Sequence, residues 1–223
     1  MLFTSVWAGN VQSISVFTTL RSPGHDAARD GPPPSPLERT VMRRVAVTPI
    51  AMSDATEFIA AAARSRKLHA QWFSPPSTSA RYRAKLKRLQ PPDNYGFAIR
   101  HRDSGVLVGY IEITNVVRGM FQSAYLAYCA FSGHERQGFM TEGLKQVIRY
   151  AFTDLGLHRL EANVQPANTA SIALVRACGF RNEGYSARYL KVRGRWRDHE
   201  RWALLSDQSP ANAAKRRRAT LKS

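Results

Sequence analysis

Acidic residues, cysteines and long apolar runs are scarce in this sequence. It carries 16 Asp and Glu against 33 Lys and Arg in 223 residues, a formal net charge of +17. Two cysteines, Cys129 and Cys178, are too few for a disulfide framework or a four-thiolate metal site. The histidines at 25, 69, 101, 134, 158 and 199 include no i, i+4 pair, so a structural zinc site is not expected. No stretch of roughly 18 apolar residues exists to span a bilayer. The mildly apolar stretch at residues 11–20 is interrupted by polar side chains and lacks a basic leader, so it does not read as a signal peptide. Two thiols without an export signal point to a cytoplasmic protein with no membrane partner. No Ser/His/Asp or Cys/His set for nucleophilic catalysis stands out.

What is present is an ordinary globular share of hydrophobic residues, 43%, close to the usual ~45–50%. The positive excess implies an anionic partner: nucleic acid, a ribonucleoprotein surface or a phosphorylated cofactor. Residues 1–42 read as a poorly ordered arm, because Pro23, Pro32, Pro33, Pro34 and Pro36 preclude regular hydrogen bonding. The three basic and three acidic residues of this arm cancel, which leaves the charge excess on residues 43–223. Residues 208–223, with Lys215-Arg216-Arg217-Arg218, form a basic tail suited either to solvent or to RNA phosphates.

Between the arm and the tail, residues 43–207 read as one mixed α/β domain. Strands are expected over 43–48, 95–100, 106–115, 123–131, 160–164, from 180 onward and over 196–205. A helix capped by Ser53 is expected to run to about residue 68. A basic helix opened by Ser77 or Ser79 follows, running to about residue 89. Leu144, Val147, Ile148, Ala151, Phe152 and Leu155 recur at the 3.6-residue period of a long helix, with Gly156 as its stop. A short helix begins at Asn168, turns Ile172, Leu174, Val175 and Cys178 inward and stops at Gly179.

Two segments carry chemistry. Ser132-Gly133-His134-Glu135-Arg136-Gln137-Gly138-Phe139-Met140-Thr141 joins a strand directly to the long helix. Free N–H groups and the helix dipole converge at such a junction and can cradle a pyrophosphate. Gly138 permits close backbone approach, while His134 and Arg136 add positive charge. The bland alternative is an ordinary strand-to-helix connection. The second segment is Asn168-Thr169-Ala170-Ser171, eight residues before Gly179-Phe180. Asn168 and Ser171 can cap a helix start, and the Asn168 amide can also hold a ligand entering between two strands.

Together these segments resemble the GNAT acetyltransferases. That family has Arg or Gln, two residues, Gly, one residue and Gly or Ala in its pyrophosphate loop, then Asn-x-x-Ser, a helix and Gly-Phe. The downstream part is present. In the loop, Gly138 is kept, but Glu135 and Met140 replace the flanking consensus residues. Further matches in chain order resemble the RimJ-type ribosomal-protein-alanine N-acetyltransferases: Asn115-Val116-Val117-Arg118-Gly119, Tyr125-Leu126-x-Tyr128, Gly179-Phe180-Arg181-x-Glu183-Gly184-Tyr185 and Gly194-x-Trp196-Arg197-Asp198-His199.

The resemblance implies a mainly antiparallel, twisted sheet, splayed at the cofactor and flanked by helices on both faces. It implies acetyl-CoA as co-substrate, held by Cys129, Ala130, Phe131, Arg136, Gln137, Gly138, Phe139, Met140, Thr141, Asn168 and Ser171, with no metal. It implies direct attack of a neutral amine on the thioester, with a strand N–H as oxyanion donor near Cys129-Ala130-Phe131. Many members take the leaving-group proton from a Tyr where this chain has Val175. Glu161, Glu112 and His199 are candidate general bases; Asn115, Arg118 and Tyr128 are candidate substrate contacts. The implied acceptor is a ribosomal protein with an N-terminal alanine, and the basic surface would meet the ribosome or its RNA. Two alternatives stand beside it: acetylation of a lysine, antibiotic or metabolite amine, and a non-catalytic ribosome-associated assembly factor.

Overall fold

The parallel strand pair at the centre of the molecule arises because its two strands are joined through the longest helix, the crossover that parallel pairing requires. The computed structural model describes residues 43–208; the N-terminal arm and most of the basic tail lie outside the described residues. The strands are β1 (Val45–Pro49), β2 (Tyr95–His101), β3 (Leu107–Val117), β4 (Ser123–Ala130), β5 (Arg159–Val164), β6 (Arg181–Val192) and β7 (Arg195–Leu205). The helices are α1 (Ala55–Arg64), α2 (Arg66–His69), α3 (Ser79–Arg88), α4 (Phe139–Thr153) and α5 (Thr169–Ala177). The sheet order is β1-β2-β3-β4-β5-β7-β6. Only β4 and β5 run parallel; the other neighbours are antiparallel.

Each face of the sheet buries its own core. On one face Leu144, Val147, Ile148 and Ala151 of α4 and Val175 of α5 pack on Ile111, Ile113, Leu126, Leu160 and Ala162. On the other, Phe58 of α1 and Tyr82 of α3 pack on Tyr110, Cys129 and Phe131. Phe58 is the hub there, with ring centroids 4.9 Å from Tyr82, 5.0 Å from Tyr110 and 5.3 Å from Phe131. Strand alternation follows from this layering. Tyr110, Glu112, Tyr125, Ala127, Cys129, Glu161 and Asn163 face α1 and α3; their neighbours face α4 and α5.

Two local expectations need correction. Ser53 does not cap α1: it lies inside a 3₁₀ turn over Met52–Asp54, where the Asp54 carboxylate accepts from the Ala51 N–H at 2.7 Å. Helix α3 opens at Ser79, as expected, with Thr78 just before it as the cap, its hydroxyl accepting from the Arg81 N–H at 3.3 Å. Helix α4 ends earlier than Gly156, with Asp154 at its C-cap. Neighbouring Ser, Thr and Asp residues share capping chemistry, so packing selects among them.

Candidate functional site

β4 and β5 pair only through Ser123, Ala124 and Tyr125 against Arg159, Leu160 and Glu161. Beyond that point β4 continues to Ala130 and β5 to Val164, and β5 keeps its ladder with β7 alone. The strands splay into a V-shaped gap. Register decides which groups face it. The Phe131 N–H donates to the Val108 carbonyl of β3 at 2.8 Å. In an antiparallel ladder alternate residues turn their N–H and C=O to opposite sides. Cys129 and Phe131 therefore serve β3, while the N–H groups of Tyr128 and Ala130 aim into the gap. On β4 the backbone donors that face the gap are these two.

The start of α4 closes one end of the site. Gly138 is its N-cap with φ 82°, a backbone conformation costly for any residue with a Cβ. A Cβ there would also lie 3.0 Å from Arg44 Nη2. The first i→i−4 bond of α4 is Glu142 N–H to the Gly138 carbonyl, which leaves the N–H groups of Phe139, Met140 and Thr141 directed outward at the positive end of the helix dipole. The Phe139 and Met140 side chains are buried, so their backbone alone is available to a ligand. Arg136, also at positive φ, shapes the loop. Gln137 Nε2 donates to the Gly133 carbonyl at 2.8 Å.

The two departures from the family loop have local explanations. The Glu135 carboxylate accepts from the Gly133 N–H at 2.7 Å and closes the turn. Met140 has room because β3 carries Gly109, where a Cβ would fall within contact distance of the Met140 sulfur and 2.5 Å from the Cys129 carbonyl oxygen. A donor cradle with a glycine whose Cβ position is contested fits the pyrophosphate of a coenzyme A.

The gap brings hydroxyl groups together on the α5 side. Tyr128 Oη and Ser171 Oγ are 2.8 Å apart. Burial pushes the Tyr128 phenol well above its ordinary range, so it stays protonated. The Ser171 N–H is capped by Asn168 Oδ1 at 3.1 Å. Val175 is fully buried in the core between α5 and the sheet.

On the opposite face Ala127 is exposed in mid-strand, paired across the ladder with Glu112. Glu112 is buried, and its two oxygens are taken by Lys85 Nζ and, at 2.7 Å, Arg88 Nη2. Glu161 lies beside Tyr125 and accepts from Arg159 Nε at 2.8 Å. His199 is buried, and its Nδ1 is 3.0 Å from the Arg197 carbonyl. A carbonyl only accepts, so Nδ1 carries the proton and Nε2 the lone pair. Burial lowers the His199 pKa, keeping it neutral near pH 7.

Asn115 and Arg118 fall at the closed end of the strand pair, where Val117 pairs with Ser123. The Arg118 guanidinium donates to the Leu155 carbonyl just past α4, and the Asn115 N–H donates to Asn94 Oδ1 at 3.1 Å. The structure thus sets these two apart from the gap mouth and the α4 start. Cys178 is core, and burial raises its thiol to about 11.

Sequence reasoning passed over several residues at the site. Arg44 stacks on Phe139, 5.0 Å from the ring centroid, and grips Glu142 in the first turn of α4. Tyr125 lies near Tyr189 of β6 and Glu161, and burial raises its phenol above the ordinary range. Asn163, on the α1 and α3 face of β5, has its Oδ1 buried without a partner. Ser65 and His69 reach the end of β4. Arg44 and Glu142 are 98 residues apart, a separation that no local pattern reports. Of two cavities, one of about 340 Å³ lies between β1 and α4, and one of about 460 Å³ beside α3 is lined in part by Lys85 and Arg88, the cations that hold Glu112. Among the described residues no group of three or more His, Cys, Asp or Glu gathers as a metal site, and no helix is long and apolar enough to cross a membrane.

Comparison with known proteins accords with this geometry. Residues 44–181 match the acetyltransferase (GNAT) domain family. A [ribosomal protein uS5]-alanine N-acetyltransferase of Escherichia coli is 38% identical over 110 residues, 49% of this chain and 57% of that protein, so the matched region spans little more than half of the relative. A spermidine N(1)-acetyltransferase of Vibrio cholerae is 25% identical over 146 residues, 65% of this chain and 83% of that protein. Among solved structures, Mycobacterium smegmatis RimJ in complex with CoA-disulfide superposes with a TM-score of 0.69 at 30% identity, covering 79% of this chain and 88% of that one.

Proposed function

The chain belongs to the GNAT acetyltransferases, and from that premise we propose that it moves the acetyl group of acetyl-CoA onto the N-terminal alanine amine of a small-subunit ribosomal protein. The observation that carries the chemistry is the splayed β4–β5 pair with the start of α4 at its mouth. Phe139, Met140 and Thr141 N–H groups receive the pyrophosphate, with Gly138 allowing the approach and Arg136, Gln137 and His134 alongside. Tyr128 and Ala130 N–H groups hold the pantetheine chain and the carbonyl oxygen on which negative charge develops. Asn168 fixes the start of α5 and with it Ser171.

The acceptor enters from the face of α1 and α3, over exposed Ala127. Glu112 and Glu161 lie on that floor, the first paired with Lys85 and Arg88 and the second with Arg159. The amine must lose a proton as its nitrogen bonds the acyl carbon and the carbon–sulfur bond breaks. His199 is the strongest of the three base candidates. Glu112 is held by two cations and Glu161 by Arg159, whereas His199 is neutral with an Nε2 lone pair. An α-amino pKa of about 7.7–8.0 asks only for a modest base. The departing thiolate takes its proton from the Tyr128–Ser171 hydroxyl pair, which stands in for the tyrosine absent at Val175. Residues 43–207 make up the catalytic domain; the basic surface and tail meet ribosomal RNA, and the setting is cytoplasmic.

The substrate assignment follows the RimJ-like motifs and the named relatives above. A second reading, transfer to a polyamine, is favoured by the spermidine relative. Incubating the purified protein with acetyl-CoA, Ala-starting peptides and spermidine, and following released thiol, separates them. Turnover with the peptide at higher kcat/KM supports our reading. Turnover with spermidine alone moves the protein to the polyamine class, and no turnover with any amine leaves the assembly-factor reading. In cells, intact mass of ribosomal proteins with and without the gene should show one small-subunit protein lighter by one acetyl group in its absence. Tyr128→Phe combined with Ser171→Ala should lower kcat by roughly 10²–10⁴, the usual worth of general acid catalysis, with little change in acceptor KM.

A further inference from the structure

A parallel strand pair that separates after three residues leaves one edge of β4 unpaired, and unpaired backbone edges are costly when buried. Two outward-facing groups at the end of that edge have found side-chain partners. His69 Nε2 lies 2.8 Å from the Ala130 carbonyl, and the Ser132 N–H donates to Ser65 Oγ at 2.8 Å. Ser65 and His69 are one helical turn apart, linked by His69 N–H to the Ser65 carbonyl at 3.0 Å. Ala130 and Ser132 are two residues apart on one strand edge. One face of a helical turn therefore matches one edge of a strand, replacing the ladder that β5 abandons. Both side chains are buried, Ser65 at 0% and His69 at 4% exposure.

We propose that the Ser65–His69 turn is a latch that holds the open edge of β4 away from β5 and keeps the Tyr128 and Ala130 N–H groups aimed into the gap. Ser65 and His69 are positioning residues that act through the backbone of β4. The proposal rests on reading the gap as the acyl-donor site.

Three observations support the latch. The Ala130 carbonyl can only accept, so Nε2 carries the proton and the His69 ring is committed to this bond. Its Nδ1 is buried without a partner, and the ring lies against Phe73, at 4.8 Å between centroids, and Phe131, at 6.3 Å. An orphaned ring nitrogen is a cost that the bond to Ala130 must outweigh. The same turn is also braced from the far side of the gap. Gln165 Nε2, just past β5, donates to the Trp72 carbonyl at 3.3 Å, and Arg193 of the β6–β7 hairpin donates to the Ala70 carbonyl. The α2 segment thus touches both walls, β4 through Ser65 and His69 and the far side through Ala70 and Trp72, and so fixes their separation.

The test compares His69→Leu, His69→Gln and Ser65→Ala with the wild type. Gln can place an N–H near the position of Nε2; Leu cannot. His69→Leu should weaken CoA binding, measured calorimetrically, and lower kcat, each by at least about tenfold, with acceptor KM little changed. His69→Gln should restore both to within about threefold of wild type. Ser65→Ala should speed amide exchange at Ser132 at least about tenfold and leave Phe131, bonded to β3, unchanged. Full CoA affinity and turnover in a folded His69→Leu, or equal impairment in His69→Gln, would overturn the latch. If the wild type itself binds no CoA, the acyl-donor reading fails separately, and the latch stands or falls on exchange at Ser132.

Discussion

Among the described residues His69 and His199 are the two buried histidines, and burial lowers the pKa of each below the ordinary 6.5. The unfolded chain then binds more protons than the folded one between 6.5 and the lower folded values. Stability is therefore complete above about pH 6.5 and is lost as pH falls through that value toward the folded pKa. The urea midpoint should stay level from about pH 8 to 7 and drop from about pH 6.5 to 5. His69→Gln should flatten part of that drop; an unchanged slope would mean that His69 titrates normally in the fold. Histidines could be counted from the sequence, but their burial could not. His69 meets a carbonyl 61 residues away, and nothing in Arg66–His69 signals which strand it will reach. Gly138 and Asn168 were legible because their work is done within one turn of chain, by φ preference and capping, whereas Ser171, expected to cap, is itself capped by Asn168 and bonds Tyr128, 43 residues away.

Among the elements, α4 was the clearest to read, since its apolar stripe repeats at helical period across its whole length. Its first turn was harder, because Met140 departs from the family pattern. The compensation lies on another element: Gly109 of β3 leaves space for the Met140 side chain. Gly109→Ala would press on the Cys129 carbonyl oxygen at 2.5 Å and the Ala130 Cα at 3.3 Å, backbone atoms that cannot swing aside. We expect a loss of about 1–3 kcal/mol, the usual cost of overpacking, read from the urea midpoint, together with weakened CoA binding as β4 shifts at the gap. Adding Met140→Ala should recover only part of it. Full recovery in the double variant would place the whole strain on the Met140 side chain. The gap itself was foreseen only through family resemblance, since a strand has no local mark for where its partner leaves it.

For the whole molecule, the +17 charge acquires a distribution. Arg81, Arg83 and Lys87 of α3 are exposed, as are Arg188, Lys191, Arg193, Arg195 and Arg197 on the β6–β7 hairpin. Lys85 and Arg88 of α3 hold Glu112 on the acceptor face, and Arg193 meets the turn after α2. Cations thus border the acceptor face. If they contact ribosomal RNA, co-sedimentation with ribosomes should weaken steeply with salt, losing roughly 0.7–0.9 of log-log slope for each phosphate contact removed. Glu at positions 81, 83 and 87 should reduce that slope while leaving acetylation of a free Ala peptide intact. Deleting residues 215–223 tests the tail in the same way. A slope that stays the same would assign these charges to solvent.

The sequence by itself determined the order of strands and helices, the strand-loop-helix junction at Gly138 and the Asn168 to Phe180 run. Each rests on stereochemistry that acts over a few bonds and is the same wherever the chain goes. Only the tertiary structure decided which β4 amides enter the gap, which face of β5 carries Glu161, and that Ser65 and His69 occupy the edge left open. Those outcomes hang on a ladder register in which one residue's slip reverses every side chain, and register is set by the summed packing of both sheet faces.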